Sequence, residues 1–264
     1  MLRLPGLKFV FRQTRSAILC PKTNVPHYID LHTHILPGLD DGSPDLETSI
    51  EMLQLLASLG FEEVCATPHQ RNGLFIPEAA DIAAALDITR TACAKVLPDL
   101  RLRLGAENYW DDVFTDRLRR DALPCYDTQR AFLFEVNPIT LPPRLDEALF
   151  EIRLSTRLPV MAHPERYLPL QRDFQLAEAL AKQAALVVDL EAVGGSGGRA
   201  EVKTARKLLE EGIAHAVASD IHHPDSGKDL REGLGWIRKH LGENTLTRLL
   251  EEHPRRILAG ELPS

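Results

Sequence analysis

Two histidines one residue apart open the chemistry of this chain, in the run Tyr28-Ile29-Asp30-Leu31-His32-Thr33-His34. If that run is a strand, His32 and His34 project to one face while Leu31 and Thr33 face the other. Two imidazoles on one face can grip one metal ion, although surface strands also carry histidines that do nothing. What strengthens the reading is the ends of later apolar runs. They carry Thr67-Pro68-His69, Glu107, Glu135, His163-Pro164-Glu165-Arg166 and Ser219-Asp220-Ile221-His222, and the loop Leu39-Asp40-Asp41-Gly42 follows the first run. Imidazole mixed with carboxylate and free of thiolate suits manganese, iron or zinc and selects poorly among them.

The elements that must position these side chains follow from pattern. Short apolar, β-rich runs at 28–34, 61–67, 101–107, 130–136, 158–163, 185–190 and 213–219 read as strands. Amphipathic stretches near 45–59, 78–97, 111–119, 144–155, 172–183, 200–211 and 229–240 read as helices. The first opens on Ser43 or Asp45 as cap, repeats apolar positions at Ile50, Leu53 and Leu56 or Ala57, and stops at Gly60. Nearly continuous apolar strands are buried on both faces, as in a parallel sheet covered by helices. Seven βα units within residues 28–264 predict an α/β fold forming one barrel-like domain rather than an open sheet. In such a barrel the site lies at the C-terminal strand ends, and six of the seven expected strands place a metal-competent side chain there. The sixth in order ends in Asp189 and Glu191, which receive no role. Gly194-Gly195-Ser196-Gly197-Gly198 after it lacks the Lys-Ser/Thr of a phosphate-cradling loop and reads as a flexible loop.

Composition narrows the function classes. With 264 residues, 44% of them hydrophobic, the chain can bury a large core. A net charge of −7 disfavours a nucleic-acid surface, because a phosphate backbone rewards a basic footprint. Cysteines at 20, 65, 93 and 125 form no CxxC pair, which points to a reducing compartment, with cytoplasmic as the expected location, and to no thiolate zinc site. Residues 1–27 carry Arg3, Lys8, Arg12, Arg15 and Lys22 and no acid. Their apolar pieces are too short for a signal core or a membrane span, so they read as a tail outside the fold without stable membrane insertion. The alternative is a weak membrane-surface segment helped by Leu7, Phe9, Val10 and Phe11.

Cys65-Ala66-Thr67-Pro68-His69-Gln70-Arg71 fits the Cys-x5-Arg pattern of cysteine-based phosphatases. That chemistry needs a low-pKa thiolate on a loop whose N–H groups cradle phosphate. Here Cys65 lies within an apolar strand, Pro68 has no N–H and no glycine opens the loop. A buried structural thiol is the expectation.

The run His32-Thr33-His34-Ile35-Leu36-Pro37-Gly38-Leu39-Asp40-Asp41-Gly42 is followed in order by Ala66-Thr67-Pro68-His69, Arg71-Asn72-Gly73, Gly105-Ala106-Glu107, Phe134-Glu135, His163-Pro164-Glu165-Arg166-Tyr167 and Ala218-Ser219-Asp220-Ile221-His222. From about residue 28 to 260 the chain resembles the bacterial metal-dependent protein-tyrosine phosphatases of the polymerase-and-histidinol-phosphatase (PHP) superfamily, which act in capsule and exopolysaccharide synthesis. His253-Pro254-Arg255-Arg256-Ile257-Leu258 is similar to that family's C-terminal helix. The resemblance implies a distorted (β/α)7 TIM-like barrel, the PHP fold, with three divalent ions, manganese favoured and iron or zinc as alternatives. His32, His34, Glu107 and Asp220 would hold the first. Glu107 would bridge to a second held by Glu135 and His163, and Asp41, His69 and His222 would hold the third.

Clustered divalent ions make water nucleophilic near neutral pH and neutralise phosphoryl charge, so no protein nucleophile is needed. Arg71 and Arg166 are the expected outer clamps, since guanidinium matches phosphate oxygens; the plain alternative pairs each with a nearby acid, Glu165 for Arg166. A phenol of pKa ~10 leaves readily, so phosphotyrosine asks little of a general acid. His223 and Asp40 are candidates for that acid, although His223 reads better as a solvated or core histidine. The implied partner is a phosphotyrosine protein, a bacterial tyrosine autokinase, and no nucleic acid. The rivals are a small-molecule phosphatase such as histidinol phosphatase, and a metal-binding scaffold of a polysaccharide synthesis complex. Between Glu191 and Arg199 the chain departs from the Gln/Asn-rich pattern of the family.

Overall fold

The computed structural model describes residues 27–155 and 157–264. The basic tail therefore lies outside the described residues except for His27, whose ring sits 2.6 Å from Glu62. β1 (Tyr28–Thr33) is buried along its whole length, as a strand covered on both faces must be. In α1 (Leu46–Ser58) the cap is Asp45, whose carboxylate accepts from Thr48 N–H, and the helix buries Met52, Leu53 and Leu56. The chain turns out of it at Gly60, whose φ of 100° suits glycine. There follow β2 (Phe61–Ala66), β3 (His69–Gln70), α2 (Ala79–Val96), β4 (Arg101–Leu104), β5 (Glu107–Tyr109), α3 (Asp112–Arg119) and β6 (Ala131–Glu135). Next come α4 (Leu145–Leu154), β7 (Leu158–Ala162), α5 (Leu168–Arg172), α6 (Phe174–Ala181), β8 (Ala185–Asp189) and α7 (Leu190–Gly194). The chain ends with α8 (Arg199–Glu210), β9 (Ala216–Ala218), α9 (Gly227–Leu241), α10 (Glu243–Thr247) and α11 (His253–Leu258).

Every strand pair is parallel, but the strands do not join into one closed sheet. One sheet runs β1-β2-β4 and the other β3-β5-β6-β7-β8-β9. The expected distorted seven-stranded barrel is thus not seen as one closed sheet, and the cause of the break is local. Pro68 has no N–H to give, so the chain leaves β2 and resumes as the short β3. The expected strand at 101–107 is cut at Gly105, where a Cβ would stand 2.9 Å from the Tyr126 ring. Single bonds carry the seam: Glu107 N to Pro68 O, 3.1 Å, and Gly105 N to Ala66 O, 2.8 Å. At the other edge Thr33 bridges Ile221, with His34 N to Ile221 O at 3.1 Å. The break re-aims His69 and Glu107, which pair across β3 and β5.

Alternation along the strands separates two cores. Ile29, Leu31, Cys65, Leu133, Val160 and Val187 pack on one another with Ile257 and Leu258 of α11. The intervening Phe132, Phe134, Met161, Leu186 and Val188 face the helices. The expected helix at 172–183 is divided at Asp173, whose extended backbone separates α5 from α6.

The glycine run also departs from expectation. Residues 190–194 form α7, capped by Asp189 through Glu191 N–H at 2.8 Å. A Cβ on Gly194 would lie 2.1 Å from Asp229 O, and one on Gly233 would lie 2.3 Å from Leu190 O. The backbones of α7 and α9 touch, which only glycine permits. Gly195 and Gly197, with φ of 117° and 89°, then turn the chain into α8. Among the described residues no helix is long and apolar enough to cross a membrane.

Candidate metal centre

Parallel pairing brings the strand ends to one rim, and the side chains expected there do meet. His32 and His34 leave β1 with their Nε2 atoms 3.1 Å apart. Asp30, fully buried on the same strand, accepts from His32 N (3.2 Å) and Ser219 N (3.0 Å), tying β1 to the segment after β9. Glu107 sits at the centre, 1% exposed. Its Oε1 lies 2.8 Å from His163 Nε2, and its Oε2 lies 3.2, 3.4 and 2.9 Å from His32 Nε2, His34 Nε2 and His69 Nδ1. Asp220 Oδ1 is 3.2 Å from His32 Nε2 and 3.3 Å from His34 Nε2. Glu135 Oε1 lies 3.5 Å from His69 Nδ1.

A second lobe is more open. Asp41, an exposed residue, stands 3.3 Å from His69 Nε2 and 3.6 Å from His222 Nε2. His222 Nδ1 bonds the Asp220 carbonyl at 2.7 Å, and its ring stacks on His34 with centroids 4.1 Å apart. The donor atoms cluster as His32, His34 and Glu107; His32, His163 and Asp220; His69, Glu107 and Glu135; and His34, Asp41, His69 and His222. All nine expected ligands are thus brought together, and the groups overlap: His32, His34, Glu107 and Asp220 lie together and Asp41 meets His69 and His222, as the resemblance implies, while two further proximities were not expected. His69 joins Glu135, and His163 joins Asp220.

Two of these residues have left-handed backbones, His163 at φ 33° and Asp220 at φ 50°. Such conformations cost a non-glycine residue and persist where the surroundings fix them, often at functional sites. Gly42 explains the Asp-Asp-Gly: a Cβ there would stand 2.2 Å from His34 O, so the loop lies directly on the His34 backbone. That loop carries Asp40, which accepts from His34 Nδ1 (2.8 Å), His69 N (3.0 Å) and Gly42 N (3.1 Å). Asp40 therefore orients His34 so that Nε2 faces the cluster. Burial would raise its carboxyl, but these donors, His34 foremost, hold it at about 2, too strong an acid to serve as the leaving-group proton donor. His223 is exposed.

The electrostatics separate the carboxylates. Burial opposes ionisation of Glu107, yet His32, His69 and the bond to His163 hold it well below the usual range. Asp220 is likewise depressed against burial, by His32 and Arg166. Glu135 is pushed up to about 7 by burial and by Glu107. Burial alone would lower His34, but Asp220, Asp40 and Glu107 hold it well above the ordinary imidazole range. His163 falls to about 4 through burial and the Arg166 charge.

Arg166 bonds Asp189 Oδ2 at 2.7 Å and Asp220 Oδ2 at 2.6 Å, with 38% of its side chain exposed. Its partners are these two acids rather than Glu165, whose Oε1 accepts from Asp189 N–H. Asp189, left without a role by sequence, thus connects the arginine to the cap of α7; an acid ending a strand beside His163-Pro164-Glu165-Arg166 was the available signal. Arg71 lies over the Tyr109 ring, 4.2 Å from its centroid. Cys65 is wholly buried in β2, and burial, with Asp30 and Glu63, raises its thiol well above the ordinary value.

Whether the cluster fits cations is tested by its unsatisfied atoms. Among the described residues, buried side-chain atoms without a hydrogen bond of acceptable geometry include Asp30 Oδ2, Asn108 Oδ1, Thr128 Oγ1 and Glu165 Oε2, and four more, Glu107 Oε2, Glu135 Oε1, Asp220 Oδ1 and His69 Nδ1, converge in the cluster. Buried donors and acceptors are nearly always paired. The residues fit divalent metal. Fold and rim together define an α/β protein with a candidate metal centre of imidazole and carboxylate ligands.

The chain belongs to the family described as capsular polysaccharide synthesis, CpsB/CapC, which matches residues 28–259. It is 31% identical over 242 residues to the tyrosine-protein phosphatase YwqE of Bacillus subtilis, covering 88% of this chain and 92% of that protein. It is 28% identical over 241 residues to the tyrosine-protein phosphatase CpsB of Streptococcus pneumoniae, covering 89% and 99%. The fold is similar, at TM-score 0.79 and 28% identity, to a chain among the crystal structures of YwqE and CpsB, which are described as unique metal-dependent tyrosine phosphatases; 88% of this chain and 95% of that one are covered. A Listeria monocytogenes lactonase at TM-score 0.53 and 12% identity shares the fold alone.

Proposed function

We propose that this protein is a metal-dependent protein-tyrosine phosphatase of capsular or exopolysaccharide synthesis, acting on a tyrosine autokinase in the cytoplasm. The observation that carries the reading is the set of four unsatisfied buried atoms on Glu107, Glu135, Asp220 and His69, in a chain of the CpsB/CapC family. His32, His34, Asp41, His69, Glu107, Glu135, His163, Asp220 and His222 would hold the ions, three in number with manganese favoured. Bound there, divalent ions supply a water nucleophile near neutral pH and neutralise the phosphoryl group. Residues 28–264 act as one catalytic domain whose two sheets form a distorted barrel wall, bridged at Thr33 and Ile221.

The chain's own residues do the rest. Asp40 holds His34 in one tautomer, and Asp30 holds the backbone of His32. Arg166 keeps Asp220 ionised and presents its exposed edge to a phosphate, where a guanidinium bonds bidentately. Arg71, flat on Tyr109, is the second clamp. A phenolate departs without a strong acid, so the absence of a role for His223 costs the reaction little.

Hydrolysis of para-nitrophenyl phosphate with added manganese, and after chelation, tests the reading. Turnover that vanishes on chelation supports it; no turnover in either state favours a metal-binding scaffold. A strong preference for histidinol phosphate over a phosphotyrosine peptide at equal metal loading would overturn the substrate class.

A further inference from the structure

A groove of about 680 Å³ runs along α8, lined by Gly195, Gly197, Arg199, Val202, Lys203, Arg206 and Lys207, with one acid, Glu210, at its far end. The four cations fall at helical spacing along one face of α8. Two are braced. Arg206 donates from Nε and NH2 to Val193 O at 3.0 and 2.9 Å, and Lys207 Nζ lies 3.8 Å over the Phe174 ring. Arg199 and Lys203 stand exposed. None of the four forms an ion pair with a carboxylate among the described residues, although other arginines of the fold, Arg101 and Arg103 among them, do.

The groove is tied to the candidate centre through two elements. α8 packs against the turn Pro164–Arg166 that carries the candidate phosphate clamp. α7 joins Asp189, the partner of Arg166, to Gly195 at the groove mouth. Five helical residues rise about 7.5 Å, a span that two or three residues of extended peptide cover at roughly 3.3 Å each. A chain of net charge −7 repels an acidic segment in general; here four cations against the single acid Glu210 leave the groove positive.

We propose that the groove along α8 binds acidic residues flanking the phosphotyrosine of the substrate chain, and so selects among phosphotyrosine sites. The proposal rests on the phosphatase reading above. The positive stripe attracts carboxylates or further phosphates on the same peptide while the phosphoryl group sits at Arg166. Small phosphate esters do not reach it.

The test uses the full chain loaded with manganese and the double variant Arg199→Glu with Lys203→Glu, which leaves the braced Arg206 and Lys207 in place. Substrates are a phosphotyrosine peptide flanked by Asp and Glu, the same peptide with Asn and Gln, and para-nitrophenyl phosphate. The wild-type protein is expected to prefer the acidic peptide through KM, and 0.5 M salt is expected to erase that preference. The variant is expected to raise KM for the acidic peptide about five- to tenfold, the scale of two exposed attractions turned into repulsions, with para-nitrophenyl phosphate unchanged. No wild-type preference, or an equal loss on the neutral peptide, would overturn the proposal. Should the wild-type protein hydrolyse none of the three, the phosphatase reading fails on its own, and fluorescence anisotropy of the acidic peptide against both proteins still decides the groove: equal affinity refutes it.

Discussion

Replacing Gly42 by Ala tests whether the loop after β1 is held by contact with His34. The added Cβ would stand 2.2 Å from His34 O and 2.4 Å from His34 Cβ. The backbone of Gly42 lies outside the left-handed region, so alanine meets no conformational penalty and the whole effect is steric. Relieving the overlap moves the loop and His34 apart by about 1 Å, and displacements of that size cost roughly 10²-fold in rate, or about 2.7 kcal/mol of transition-state stabilisation. The same wedge strains Asp40, bonded to His34 Nδ1 at 2.8 Å, and Asp41 beside it. Overpacking adds a stability loss of about 1–3 kcal/mol. The assay is manganese-dependent hydrolysis of para-nitrophenyl phosphate, with metal content after desalting and thermal unfolding of the same samples. Gly235→Ala is the control: nothing lies within 4 Å of its Cβ, and it sits within α9, so activity is expected to hold and stability to rise by up to about 1 kcal/mol. Gly42→Ala activity within threefold of wild type, with metal content intact, would refute the orienting role given to Asp40 and its loop.

Arg166→Gln is expected to lower kcat/KM about 10²-fold, and Arg166→Lys to recover only part, because NH2 alone bonds both Asp189 and Asp220, and an ammonium in its place lacks the other guanidinium nitrogens that would face phosphate; equal activity of all three proteins would remove the arginine from the site. Cys65→Ser is expected to keep most activity while His34→Ala abolishes it, since the thiol is buried and its pKa raised; the reverse result would point to cysteine chemistry. Far from the rim, His215 Nδ1 accepts from Leu186 N–H at 3.0 Å, and burial, then His253, lowers its pKa from 6.5 to about 4. Its stabilisation is complete above pH 6.5 and is lost as pH falls toward 4, on the order of 3 kcal/mol in all. Urea unfolding of chelated His215→Gln at pH 7 and 4.5 should show a smaller acid-side loss than wild type, and an identical loss would clear the imidazole.

Much of the site was legible because two regularities act together. Period-two alternation placed His32 and His34 on one side of β1, and parallel strands brought Glu107, Glu135, His163 and Asp220 to the same rim. Which donors sit nearest which was not legible. It depends on the left-handed backbones of His163 and Asp220, and on the break at Pro68 and Gly105 that turns His69 toward Glu135. Residue type alone does not separate Asp40 from Asp41; the family resemblance gave the metal role to Asp41 and left Asp40 as a candidate acid. The fold adds that Asp40 faces His34 Nδ1, while Asp41 stands beside His69 and His222. α7 escaped notice because five residues ending in glycine carry too little periodicity to mark a helix.

The contact between α7 and α9 gives distant positions a hold on the arginine. Gly233 is on a helix that offers no ligand, yet its missing methyl group is the space into which Leu190 O fits, one peptide beyond the acid that steadies Arg166. A survey that ranks substitutions by their distance from the histidines would score this buried position as neutral. It is better regarded as the far end of a short lever, with its fulcrum where two main chains meet and its load at the mouth of the rim.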